Sequence, residues 1–363
     1  MSSETGKLLK VNIFGESHGK AIGVVIDGLP AGEEIDEQEL SRFMARRAGG
    51  KTFSTPRKEE DRPVFLSGML GGKTTGAPLC AIIENKNFRP GDYSQLQSTP
   101  RPSHADYPAY VKYDGFNDQS GGGHFSGRLT APLCIAGGVC MQILERRSIR
   151  IGAHIAVLAN VGDTPFDPCN PDNGVFDEVK SKEFPVIDDA AGAEMREKIL
   201  DAMSNDDSVG GIVECAVTGL PAGIGAPMFG SVESRLSAAI FGIGAVRGID
   251  FGAGFSAAYM RGSEHNDPYY MDNGCVKTRT NNHGGVIGGI TSGMPIIFQT
   301  AFKPTPSIGI EQDTVDLVTK TDTKIKIGGR HDPCIVPRAV PCVEAATAVT
   351  LLDILLENNR LEK

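Results

Sequence analysis

Apolar residues come in short runs separated by polar, glycine-rich turns. LLKVNIF (8–14), IGVVI (22–26), PVFLSG (63–68), PLCAII (78–83), GIVECAV (211–217) and MPIIFQTAF (294–302) have strand lengths and predict β-strands. ELSRFMARR (39–47) and VESRLSAAIFGI (232–243) read as helices. LTAPLCIAGGVCMQIL (129–144) is shorter than the ~20 residues of a membrane span and is bracketed by Arg128 and Glu145, so it predicts a buried helix. A second long helix, rich in small residues, carries VEAATAV (343–349) and ends near Asn358.

The same pattern occurs twice. GGKTTGAPL (71–79) returns as GGITSGMPI (288–296), and DGLPAG (27–32) as TGLPAG (218–223). A weaker pair, GGHFSGRLTAPLC (122–134) and GGRHDPCIVPRAVPC (328–342), leads into the two long helices. The three pairs keep their order, which predicts one domain over 1–363 made of two pseudo-repeated halves, about 8–150 and 205–358. Each half reads strand, turn, helix, strands, long helix. That is an α+β pattern with antiparallel sheets packed on helices, not regular βαβ alternation. Two related halves in one chain often form a site between them.

Composition narrows the function. Of 363 residues, 40% are hydrophobic and 22% charged, as in a globular protein with a real core. A net charge of −9 argues against a general nucleic-acid or anionic-membrane binder. The polar start MSSETGK lacks a signal-peptide core, so a cytoplasmic location is expected. The eight cysteines form no CxxC pair; their spacing does not suit zinc, disulfides are not expected, and most read as small core residues.

Several motifs offer chemistry. His18, between Gly15 and Gly19 in FGESHG, follows a strand and suits proton exchange near neutral pH. RPSHADY (101–107) sets a cation, an acid/base and a carboxylate together as Arg101, His104 and Asp106. In GGGHFSGR (121–128), three glycines allow close backbone approach, and Ser126 and Arg128 suit an anion where the next helix starts. In AFKPTPS (301–307), Lys303, Thr305 and Ser307 share one side of an extended segment. GGRHDP (328–333) packs Arg330, His331 and Asp332 between tight turns, and basic residues also cluster at Arg42, Arg46, Arg47, Lys51, Arg57 and Lys58. GAGFSA (252–257) looks like a degenerate GxGxxA but lacks a βαβ context.

Together GESHG, RPSHADY, GGGHFSGR, KPTPS and GRHDPC closely resemble chorismate synthase, in order and spacing over nearly the whole chain. The resemblance implies a β-α-β sandwich, a homotetramer, reduced FMN as cofactor, and a 1,4-elimination. In that reaction 5-enolpyruvylshikimate 3-phosphate loses phosphate and a ring proton to give chorismate, without net redox change. The family holds enzymes that only use reduced FMN and others that also reduce it with NADPH; the compact 363-residue chain and the missing βαβ context predict the former, with NADPH entering only through a separate flavin reductase. Carried over by position, His18 meets the departing phosphate, His104 acts on the flavin's pyrimidine side, and Asp332 helps move the substrate proton. Arg46, Arg101, Arg128 and Arg330 bind substrate anions, Arg330 also near FMN. His124, Phe125, Ser126, Gly244, Ala245, Gly288, Lys303, Pro304, Thr305, Pro306 and Ser307 hold the flavin; no metal is implied. Many relatives have Arg-Ser-Ser-Ala-Arg where this chain has His124 to Arg128, a second arginine where it has Thr52 beside Lys51, and an asparagine where it has Gly244. A non-catalytic flavin- or nucleotide-binding protein on the same scaffold is the alternative, disfavoured by the joint presence of His18, His104 and Asp332. A phosphohydrolase lacks its usual carboxylate cluster or GxSxG elbow.

Overall fold

A computed structural model describes residues 3–50, 61–85, 98–118, 120–328 and 332–361. In the first half β1 (Glu4–Thr5), β2 (Lys10–Gly15), β3 (Ala21–Asp27), β4 (Val64–Ser67) and β5 (Leu79–Glu84) form a sheet in the order β1–β2–β3–β5–β4, beside a short hairpin of Met69–Leu70 and Lys73–Thr74. The second sheet uses β6 (Arg150–Leu158), β7 (Val161–Gly162), β8 (Gly211–Thr218), β9 (Val246–Phe251) and β10 (Ile296–Phe302), in the order β9–β10–β8–β6–β7. Every pairing in both sheets is antiparallel. The helices are α1 (Glu37–Arg47), α2 (Asp106–Lys112), α3 (Thr130–Glu145), α4 (Asn173–Ser181), α5 (Asp189–Ser204), α6 (Val232–Ile240) and α7 (Val336–Glu357), besides one short turn of helix. The fold is therefore mixed α and β with antiparallel sheets, and each apolar run named above became the element its pattern predicts.

Local chemistry sets the ends. Asp36 caps α1 through Oδ1, which accepts from the Gln38 and Glu39 amides at 2.7 and 3.1 Å, satisfying two amides that have no partner inside the helix. Glu37 and Glu39 sit in its first turn and Arg46 and Arg47 in its last, matching the helix dipole.

Helix α3 lies on β3 and β5, α7 lies on β6 and β8, and the two helices pack along each other. Small residues make this crossing possible. A Cβ on Gly137 would fall 2.2 Å from Ala345 Cα, so the backbones touch where a side chain would stand. Cys134 and Cys342, one turn earlier on each helix, approach to 3.9 Å between sulfurs. Both helices are long and apolar enough to cross a membrane by length and composition, but most of their residues are buried inside the protein. Asp353 on α7 accepts the Lys7, Leu8 and Leu9 amides, each at 2.8 Å, and pairs with Arg235 of α6, tying both chain ends to the core.

The repeated motifs make matching hydrogen bonds. Thr74 Oγ1 donates to Pro30 O at 2.6 Å and accepts the Glu33 amide at 2.9 Å. Thr291 Oγ1 donates to Pro221 O at 2.7 Å and accepts the Ile224 amide at 2.9 Å. The Gly32 amide donates to Thr74 O at 2.7 Å, and the Gly223 amide to Thr291 O at 2.9 Å. Each Leu-Pro-Ala-Gly turn is thus latched to its own Gly-Gly hairpin by one threonine.

Residues 173–204 form α4 and α5; Phe176 of α4 and Phe166 of the preceding loop pack against Ala216 and Ile297 of the second sheet. Below them His154, fully buried, donates from Nδ1 to Asp163 and from Nε2 to Glu214, both at 2.9 Å. Burial disfavours the imidazolium, yet these two hydrogen bonds outweigh it and raise the pKa. Burial also pushes Asp163 up, but the His154, Ile187 and Asp188 donors outweigh it and lower that pKa. The His154 contribution is full below its unfolded pKa of about 6.5 and is lost as pH rises through the higher folded value. The Asp163 contribution is present above about 3.9 and is lost as pH falls through the lower folded value. The melting temperature of wild type minus that of His154→Gln is therefore expected to shrink as pH rises above about 6.5. A difference that stays flat up to pH ~9 would contradict the charged-histidine assignment.

Candidate active site

The Gly-Gly-Gly-His-Phe segment (121–125) is the hub. Gly121, Gly122 and Gly123 have φ of 64, 111 and 53°, and Gly123 has ψ −127°, a combination essentially confined to glycine. The loop also leaves room for two histidines. A Cβ on Gly121 would fall 2.2 Å from His18 Cε1, and one on Gly122 3.4 Å from His104 Nε2. Two motifs more than eighty residues apart in sequence therefore place their rings on adjacent glycines.

His18 follows β2 in a loop tied to this hub. The Ser17 amide donates to Gly123 O at 3.1 Å, and Ser17 Oγ donates to Ser120 O at 3.0 Å. With its proton committed there, Ser17 Oγ accepts from His18 Nδ1 at 3.1 Å.

His104 is held from the other side. Its Nδ1 lies 2.5 Å from Asp106 Oδ1. Asp106 in turn accepts from Arg101 Nε at 2.7 Å, Arg101 Nη2 at 2.8 Å and the Arg101 amide at 3.0 Å. Burial raises the Asp106 pKa, but the hydrogen bonds from Arg101 and His104 outweigh it and hold this carboxyl far below the usual range. His104, Asp106, Asn117, Asp118, Gly122 and Phe125 line a small cleft.

A chain of ion pairs continues from the loop. Asp61 bridges Arg47, at 2.5 Å, and Arg128. Arg128 also donates to Asn85 Oδ1 at 3.3 Å, and its amide is capped by Ser126 Oγ at 3.2 Å. Arg47 reaches Thr130 Oγ1 at 3.1 Å and Gly127 O at 3.2 Å. Arg338 of α7 donates to Arg47 O at 2.9 Å and to Asp332 at 2.7 Å. First-half arginines, a second-half arginine and Asp332 thus meet in one network.

The 303–307 segment closes on the RPSHADY turn. Lys303 Nζ donates to Ser103 O at 2.6 Å, and Arg101 Nη1 donates to Ser307 Oγ at 3.3 Å. The Lys303 amide donates to Ala245 O at 3.0 Å, and Ala245 has a left-handed φ of 72°. Burial, then the charge of Arg247, lowers the Lys303 pKa. Thr305 Oγ1 and Asn117 Oδ1 are buried without a hydrogen-bond partner.

Most of the expected residues converge, with differences. His124 turns to Gly15 O, 2.8 Å from Nδ1, and to Ser3 Oγ, 2.7 Å from Nε2, so its ring fastens β2 to the loop. Phe125 is half exposed beside Tyr113, 6.3 Å away between ring centroids. Gly244 leaves open space where a side chain would stand. Gly288, with φ 62°, lies in the second latched hairpin and is not among the residues these hydrogen bonds join. Pro304 and Pro306 stiffen the 303–307 segment. Arg330, His331, Lys51, Thr52, Arg57 and Lys58 lie outside the described residues. Arg46 reaches away to Glu344, with Nη2 3.1 Å from Oε1, while its neighbour Arg47 joins the Asp61 network. Helical phase explains this: Leu40, Phe43, Met44 and Arg47 form the buried stripe of α1, and Arg46 lies a third of a turn off it. Asp61, Asn85 and Arg338 carried no sequence signal beyond their polarity.

A family model described as chorismate synthase matches residues 9–356. The chain belongs to the chorismate synthase family. It is 46% identical over 358 residues to the chorismate synthase of Thermococcus kodakarensis, covering 98% of both chains. It is 48% identical over 352 residues to that of Pyrococcus abyssi, covering 97% of both. A crystal structure of chorismate synthase superposes with a TM-score of 0.78 at 25% identity, covering 98% of this chain and 93% of the other. The chain is accordingly a lyase of the shikimate pathway, forming chorismate from 5-enolpyruvylshikimate 3-phosphate for aromatic amino acid biosynthesis.

Proposed function

We propose that elimination takes place at the cleft between His18, His104 and the Arg47–Arg128–Asp332 network, with reduced FMN bound against the 303–307 segment. The adjacency of both histidine rings on Gly121 and Gly122 carries this reading. It gives one small region two proton-exchanging groups beside several arginines, as a substrate with a phosphate and two carboxylates requires.

The residues fit the cofactor. Thr305 Oγ1 and Asn117 Oδ1 are buried polar atoms in need of a partner, and Lys303 feels the charge of Arg247, two cations suited to a phosphate. Ser126, Phe125, Gly244, Ala245, Lys303 to Ser307, and Gly288 and Arg330 by resemblance, would hold it. When bound, reduced FMN supplies electron density as phosphate departs and recovers it as the ring proton is lost. In this reading His18 holds a proton towards the departing phosphate. Arg47 and Arg128 bind substrate anions, Arg47 in place of Arg46. His104 exchanges a proton through Nε2 on the pyrimidine side of the cofactor, and Asp332, steadied by Arg338, moves the ring proton.

The matching threonine latches support an ancestral duplication and a β-α-β sandwich of two related halves. Exposed Phe229, Phe255 and Tyr259 support a homotetramer, and we place the enzyme in the cytoplasm, supplied with reduced flavin by a separate reductase. Mixing the purified protein with substrate under anaerobic conditions tests the reading. Chorismate and phosphate are expected in equal amounts with reduced FMN and neither without it. Phosphate release without chorismate would point to a hydrolase instead.

A further inference from the structure

We propose that Asp106 is the positioning residue of His104: it fixes the ring proton on Nδ1 and turns Nε2 to the cleft, while Arg101 serves to hold this carboxylate rather than to bind substrate. The proposal rests on the reading of His104 given above.

An ionised carboxylate only accepts hydrogen bonds, and Asp106 is clamped by three Arg101 donors, two from the guanidinium and one from the backbone. His104 Nδ1 stands 2.5 Å from Oδ1, so it must carry a proton; a lone pair there would face the oxygen's own lone pairs. Arg101 Nη2 lies 3.1 Å from the same nitrogen, but as a second donor on Oδ1 rather than a partner of the ring. The neutral ring therefore has its lone pair on Nε2, which lies on the Gly122 side of the ring, and His104 and Gly122 both line the cleft. The Arg101 donors are mostly committed: Nε and Nη2 to Asp106, and Nη1 to Ser307. Its one remaining task towards a ligand is to anchor the 303–307 segment. The spacing of the motif follows. The His104 amide donates to Arg101 O at 3.2 Å, closing a turn that brings residue 101 and residue 106 onto one histidine.

The test is a double-mutant cycle with the holoenzyme, joined to a spectroscopic readout on the flavin-free protein. Asp106→Asn is expected to lower kcat by about 10–100-fold with KM within about threefold, the range for an outer partner of a working histidine. In a His104→Gln background the same change is expected to cost less than about threefold, because the two residues act as a unit. With ¹⁵N-labelled histidine, the His104 signals, assigned by their loss in His104→Gln, should show a protonated Nδ1 in the parent and a shift to protonated Nε2 in Asp106→Asn. Asp106→Glu keeps Arg101 compensated and serves in the same cycle if Asp106→Asn does not fold. Equal losses in both backgrounds, or ring-nitrogen signals indifferent to Asp106, overturn the proposal. Near-normal turnover of His104→Gln alone would instead remove the catalytic reading of His104.

Discussion

His18→Ala and His104→Ala are each expected to slow turnover by about 10²–10⁴-fold with saturating reduced FMN, the usual range for a positioned acid or base. At ~1.4 kcal/mol per factor of ten this is about 3–5 kcal/mol of transition-state stabilisation. The fold should tolerate both changes. The His18 loop is held by Ser17 through its amide and hydroxyl, and the His104 turn by Asp106 and Arg101, so neither ring is needed to keep its backbone in place. Each ring does fill the space above a glycine, and its loss leaves a wetter cleft rather than a collapsed core. The two variants should differ in what recovers them. A small exogenous acid can replace a proton delivered to a departing phosphate, so imidazole should partly rescue His18→Ala. Anaerobic stopped-flow with dithionite-reduced FMN measures these effects. A variant that keeps near-normal kcat takes its histidine out of the mechanism.

NADPH with oxidised FMN is expected to give no chorismate under strict anaerobiosis, whereas dithionite-reduced FMN should give full turnover and still be reduced at the end. The reason is architectural. GAGFSA follows β9, but it leads into a 3₁₀ turn, Gly254–Tyr259, and β9 pairs antiparallel with β10. A dinucleotide fingerprint needs a strand, a glycine turn and an α-helix inside a parallel βαβ unit, where the helix N-terminus meets the pyrophosphate. The arginines nearest the site are also accounted for: Arg47 and Arg128, paired with Asp61, are the ones proposed to meet the substrate anions, and Arg46 pairs with Glu344. Steady chorismate formation from NADPH by the purified protein alone would overturn this expectation and would assign one of these arginines to a nicotinamide phosphate.

Much was legible in the chain itself. Apolar runs of strand length became the strands of two antiparallel sheets, because alternation and length are properties of a local segment and survive whatever it packs against. The repeated Gly-Leu-Pro-Ala-Gly and Gly-Gly motifs were visible as words, and they fold into the same latch because a turn, a glycine and one threonine hydroxyl suffice to make it. The family, and with it the reaction, followed from five short motifs in order. What sequence could not decide was which neighbour each charged side chain would choose. Arg46 and Arg47 are adjacent letters, yet the phase of α1 against the core sends one to Glu344 and the other to Asp61. Arg101 reads simply as a cation, and only the closing of the 101–106 turn sets Asp106 against its guanidinium. His124 shows its partners only in the fold, where β2 arrives beneath it and Gly15 and Ser3 meet both ring nitrogens. Spacing along a chain sets which groups can meet, but the partner of a charge is settled by burial. Once desolvated, it must pair with whatever opposite charge the packing of distant segments brings within reach.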